Sequence, residues 1–207
     1  MNERQMFQAQ VKAILTPALK SDGFRQAGPT FRRVIGEVIH VINLQGSIRG
    51  GQCCVCLGIH LSFLPTVGTN APCESLKITE PECEFQSRLT PEGQNDHWWS
   101  YGTSEQEAVD SVRSIVEMYR LRAVPYFDQF SCFPADFTRV TPDTPDEQLA
   151  SHLPPFLTSV RRDLALARIF GHLGDTASAH SYASRGLAAV GSAVALKPAF
   201  RLFIQHA

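Results

Sequence analysis

At 207 residues, with 19 Lys and Arg against 20 Asp and Glu, the chain carries a formal charge of −1. That balance excludes the long-range field that gathers nucleic acid or anionic lipid, and no stretch reaches membrane-spanning length. A chain of this size buries roughly 70% of its unfolded surface, so it needs no metal or disulfide to fold.

The six cysteines, Cys53, Cys54, Cys56, Cys73, Cys83 and Cys132, form no CxxC pair and no spaced framework. Met1-Asn2-Glu3-Arg4-Gln5 lacks the apolar run of a signal peptide. Together these lead to the expectation of a cytoplasmic protein with free thiols, no structural metal and no cofactor.

Phe7, Val11, Ile14, Leu15, Ala18 and Leu19 recur at helical spacing and predict a first helix. Gly23 ends it as a left-handed cap with Phe24 placed for the accompanying hydrophobic contact, and Pro17 is expected to kink its last turns. A strand over Thr30–Ile35 then turns at Gly36 into residues 38–45. These and Gln52–Leu61 form two arms dense in Val, Ile and Cys, joined by the Gly-rich loop 46–51. We expect them to pair antiparallel at the centre of a sheet. In the second arm Val55, Leu57, Ile59, Leu61 and Phe63 alternate with Gln52, Cys54, Cys56, Gly58, His60 and Ser62, which assigns the two sets to opposite faces. The apolar face should carry the helices; the other is open, lightly covered or a groove.

Residues 65–81 read as a long loop and 84–89 as a further strand, after which residues 90–96 lead to His97-Trp98-Trp99-Ser100-Tyr101. Ser104-Glu105-Gln106-Glu107 fits a capping box for a second helix carrying Val109, Val112, Val116 and Tyr119. Pro125 is expected to interrupt that helix, leaving 126–130 as a short terminal piece.

Several of these motifs, in this order, resemble a bacterial family, domain of unknown function 4304. They are Leu19-Lys20-Ser21-Asp22-Gly23-Phe24 before Phe31-Arg32-Arg33, then Val41-Ile42-Asn43-Leu44-Gln45 and Leu57-Gly58-Ile59. Cys83 with Arg88-Leu89, Trp98-Trp99 and Val124-Pro125-Tyr126-Phe127 complete the set. The resemblance covers about the first two-thirds of the chain. It implies the same helix–sheet–helix arrangement, and because the family has no assigned activity it brings no catalytic residues.

Residues 133–146, with Pro134, Pro142 and Pro145, read as a linker, so the chain divides into an α+β unit over 1–134 and a helical appendage over 135–207. Thr144 is the expected N-cap, with Pro145 at the first helical position. Leu164, Ile169, Phe170, Ala179, Tyr182, Ala183, Gly186 and Leu187 describe one tetratricopeptide-like helical hairpin over 158–190. A single such unit cannot bury its apolar face alone, so it is expected to pack on the sheet unit or on a protein partner, including a second copy. The fold class is therefore α+β, an antiparallel sheet with helices on one face followed by a helical hairpin.

Chemistry is sparse. Cys54, Cys56 and His60 share a strand face, but Cys56 and His60 lie ~13 Å apart along a strand, too far to share an ion bound at ~2.0–2.3 Å. Neither Cys83 nor Cys132 sits in a nucleophile motif, and loop 46–51 lacks the pattern of a phosphate cradle. Asn43, Gln45, His60 and Arg88 are candidates to converge on the second face. There they would bind a carboxylate or peptide, or else form a buried polar network or a surface pair. Of Trp98 and Trp99, which alternate, one is expected to anchor the core while the other reaches that face or a ligand. The sequence thus favours a non-enzymatic protein- or peptide-binding module. A small-molecule enzyme or sensor using Arg88, His60 and Trp98 or Trp99 is the alternative.

Overall fold

In the computed structural model, residues 2–205 are described. Helix α1 (Glu3–Gln10) opens on a reciprocal cap between Asn2 and Gln5. It passes without a break through a π-turn at Val11–Leu15 into α2 (Thr16–Ser21). The Thr16 N–H bonds the Val11 carbonyl five residues back, and the next residue is Pro17. A proline lacks the N–H and crowds the carbonyl four residues earlier, so the wider turn accepts it without ending the helix.

The same device recurs downstream. Helix α3 (Glu105–Met118) runs through a π-turn at Tyr119–Ala123 into α4 (Val124–Gln129), where the Val124 N–H reaches Tyr119 and Pro125 follows. Pro125 therefore does not interrupt the helix as its sequence suggested.

Six strands form one antiparallel sheet: β1 (Arg25–Ala27), β2 (Thr30–Ile35), β3 (Val38–Gly46), β4 (Gln52–Leu61), β5 (Phe85–Arg88) and β6 (Trp99–Ser100). They lie in the order β1-β2-β3-β4-β5, with β6 also on β4. The two Val-, Ile- and Cys-rich arms are the central pair, in register from Val38 opposite Leu61 to Gly46 opposite Cys53. Val55, Leu57, Ile59 and Leu61 face α1–α4 and join Leu15, Leu19, Phe31, Phe127 and Ile115 in the main core. Each large side chain buried there contributes roughly 1.5–3 kcal/mol.

The opposite face is half covered. Near the β2–β3 turn, Ile39 and Val41 pack under Ile78 and Cys83 of the long loop. Arg32 pins that loop by donating from Nε to the Ile78 carbonyl at 2.5 Å and from a terminal nitrogen to the Lys77 carbonyl at 3.0 Å. Gly58 is required beneath it, because a Cβ there would sit 2.7 Å from the Cys83 sulfur. Toward the β3–β4 loop the same face carries Asn43, Gln45, Cys54, Cys56 and Arg88.

The C-terminal helices are α5 (Asp146–His152), α6 (Ser159–His172), α7 (Thr176–Ala188) and α8 (Lys197–Ile204). Gly174, at φ +80°, turns α6 into α7, and Asp175 caps α7 by accepting from the Ser178 N–H. These helices hold their own core around Leu166, Phe170, Tyr182 and Phe200. Helix α8 makes the hairpin a three-helix unit: the Phe203 and Phe200 rings occupy the space that side chains at Gly171 and Gly186 would need.

This unit is fixed to the sheet. Arg161 donates twice to Glu84 at 3.0 and 2.8 Å, Ile169 enters the main core, and His172 stacks on Phe63 at 3.8 Å. Residues 133–146 are packed rather than a loose linker, with Phe137 in the main core and Val140 in the C-terminal one. Pro145, not Thr144, occupies the N-cap position of α5; the Thr144 hydroxyl instead accepts from the Thr141 N–H at 2.8 Å. No helix among the described residues is long and apolar enough to cross a membrane.

Candidate functional site

Four of the six residues singled out from sequence meet on the second face. Thr30, Asn43, Cys56 and Arg88 form one transverse row over β2–β5. The Thr30 hydroxyl donates to Asn43 at 3.0 Å, and Gln45 accepts from the thiols of Cys54 and Cys56 at 3.6 and 3.3 Å. Arg88 donates to Asp96 at 2.5 Å and lies 5.5 Å over the Trp98 ring, whose indole N–H also reaches Asp96. That N–H and the guanidinium hold the Asp96 carboxyl below its usual range. These groups are engaged with one another.

His60 and Trp99 lie elsewhere. His60 is fully buried at the covered end, where its Nδ1 accepts the Glu84 N–H at 3.0 Å and its Nε2–H donates to the Leu64 carbonyl at 3.1 Å. Burial depresses its pKa to about 4, so the ring is neutral and both nitrogens are committed. Trp99 is buried on the helix face and donates to Ser114 at 3.3 Å.

His40, which no motif marked in the sequence, is a second buried neutral histidine. It sits between Arg33 and the Phe130 carbonyl, and burial likewise holds its pKa at about 4. Both histidines brace the fold.

A cleft that the sequence did not reveal opens on the helix face. It encloses about 700 Å³ between α1–α2 and β1–β3, a volume within the usual span of ligand sites. Phe7, Val11, Leu44, Cys53 and Tyr101 form its apolar floor. The Phe7 and Tyr101 rings stand 4.8 Å apart, with the Tyr101 hydroxyl directed at Gly46. Burial pushes the Cys53 thiol up to about 12, so it stays protonated. Arg4, Lys12 and Lys20 stand exposed at the rim, and among the described residues the lining contains no carboxylate and no imidazole.

None of the ion pairs among the described residues uses these three cations. Their surroundings are basic as well: residues 1–61 hold seven Lys and Arg against three Asp and Glu. This asymmetry is hidden in the overall charge of −1, and it is the signal by which the sequence could have pointed here. A shallower groove of about 650 Å³ between Ile14, Ala18 and α3 mixes Arg113 and Arg120 with Glu117, and so lacks a single sign.

One wall of the cleft is the edge strand β1. The Leu44 N–H bonds the Pro29 carbonyl at 3.1 Å, so Pro29 and Phe31 turn their main chain toward β3. Antiparallel alternation then pairs Thr30 and Arg32 with Ala27 and Arg25, and leaves the N–H and C=O of Gln26 pointing away from the sheet. Thr16 donates to the Gln26 side chain at 3.2 Å and ties this edge to α2.

The family model for a domain of unknown function, DUF4304, matches residues 15–129. The chain belongs to the DUF4304 family. No curated protein and no solved structure matches it. The DUF4304 match runs from the end of the first π-turn to the end of α4. It takes in β1, the sheet and most of the cleft floor; Arg4, Phe7 and Lys12 precede it, and α5–α8 follow it.

Proposed function

We propose that this DUF4304 protein is a non-enzymatic binding module of the bacterial cytoplasm, which captures an extended peptide segment of a partner protein in the α1–α2/β1–β3 cleft. The observation that carries this reading is an apolar-floored cleft running beside an edge strand whose Gln26 main chain faces outward. Such an edge offers hydrogen bonds to an added strand, and the floor offers a place for its apolar side chains.

The absence of an enzyme role is supported by the lining itself. Among the described residues neither a carboxylate nor an imidazole lies there to take a proton from Cys53 or Thr16, and the Cys53 thiol is held protonated. The six free thiols fit a reducing compartment.

Gln8 is an exposed lining residue on α1, so Gln8→Trp obstructs the cleft without entering the core. A pool of eight-residue peptides passed over immobilised protein should leave peptides on the wild type and not on the variant, at equal melting temperatures. Equal retention by both would remove the cleft from recognition.

A further inference from the structure

Resting on that reading, we infer that the peptide taken by the cleft is acidic and amphipathic, with apolar side chains toward the floor and carboxylates toward Arg4, Lys12 and Lys20. These three residues follow one another at eight-residue steps, Arg4 on α1, Lys12 in the π-turn and Lys20 on α2. At 1.5 Å per residue the row is about 24 Å long, beyond the reach of one anionic head group. Side chains on one side of an extended chain recur about every 6.8 Å, so positions four apart, at about 14 Å, fall close to the ~12 Å steps of the row.

The charge field agrees with the spacing. Among the described residues the three cations have no carboxylate partner and the lining adds no negative charge. A basic peptide would meet like charge along its whole length. An alternating acidic and aliphatic strand satisfies the floor, the rim and the Gln26 edge together.

The test measures fluorescence anisotropy of three labelled nine-residue peptides, alternating Asp–Leu, Ser–Leu and Lys–Leu, at 50 and 300 mM salt (~14 and ~6 Å screening lengths). The acidic peptide should bind at least about tenfold more tightly than the Ser–Leu peptide at low salt, with the gap narrowing at high salt. The variant carrying Lys12→Glu and Lys20→Glu should lose that preference and gain affinity for the Lys–Leu peptide. Both positions are exposed, so an unchanged melting temperature separates lost charge from lost fold. If the Ser–Leu and Asp–Leu peptides bind alike, or the double variant keeps its preference, the acidic ligand is wrong while peptide capture stands. If none of the three binds and decanoate alone does, both the ligand and the peptide reading fall in favour of a small-molecule site.

Discussion

Arg161, Arg162 and Arg185 lie on α6 and α7 with their guanidinium groups against Glu84 and Asp163, whereas Arg4, Lys12 and Lys20 stand exposed along α1 and α2 with no carboxylate within 4 Å among the described residues. Glu84 and Asp163 are themselves buried, so each arginine in the first group answers a charge that the fold has already taken out of water. The second group answers no charge among the described residues. The contrast separates cations that hold the C-terminal unit in place from cations free to meet a ligand, and it can be broken from either side.

The largest effect should come from forcing charge into the interior by acid. His40 and His60 are fully buried with pKa values near 4, against about 6.5 in an unfolded chain. Between those values the unfolded state binds more protons, so stability is complete above pH 6.5 and falls as pH drops toward 4. Each ring should cost ~3 kcal/mol by pH 4, or about twice that for the pair. Urea midpoints measured from pH 7 to 4 should fall steeply, and His60→Gln should flatten part of the slope. A flat profile would mean that neither ring is held neutral.

Arg161→Ala comes next. It strands the Glu84 carboxylate, which is 1% exposed, and should cost about 3–5 kcal/mol. Arg161→Met with Glu84→Leu should recover most of the loss, since an apolar pair of similar volume is often neutral there. If the single variant melts like wild type, the C-terminal helices do not depend on that pair.

Arg88→Ala tests a borderline member of the comparison, because its partner Asp96 is about half exposed. Its melting temperature should fall much less than that of Arg161→Ala, while the fluorescence of Trp98 changes as the overlying guanidinium is lost. A drop as large as that of Arg161→Ala would make Arg88 a brace of the fold. The smallest effect belongs to Lys12→Ala with Lys20→Ala, expected to stay within about 0.5 kcal/mol of wild type. A marked loss of stability there would show that the rim cations serve the fold after all.

The sheet was legible because its information is local and redundant. Alternation along β4 continues over ten residues, and a single slip in register would have turned Val55, Leu57, Ile59 and Leu61 out of the core. The cover of the second face was not legible. It depends on Arg32 reaching two carbonyls some 45 residues away, and a lone Arg-Arg pair in a strand reads as solvated charge. The cleft was harder still. Its lining comes from α1, α2, β1, β3 and β4, and β1 is three residues long, too short for any periodicity to register. Arg4, Lys12 and Lys20 at exposed helical positions look like an ordinary wet surface until their missing partners are counted.

The extra hydrogen-bond spacing at Val11–Leu15 also acts as a phase shifter. In an unbroken α-helix, at 100° per residue, Arg4 and Lys20 would point about 160° apart, to nearly opposite sides. The π-turn advances less per residue, so it swings the second half of the rod back and narrows that angle to about 60°. Deleting one residue from that segment would restore the ordinary winding and leave Lys20 on nearly the same bearing, since fifteen steps of 100° also place it about 60° from Arg4. The wide turn thus swallows one extra residue at no cost in phase, which keeps Leu15 and Leu19 on the core side of the rod on either side of Pro17.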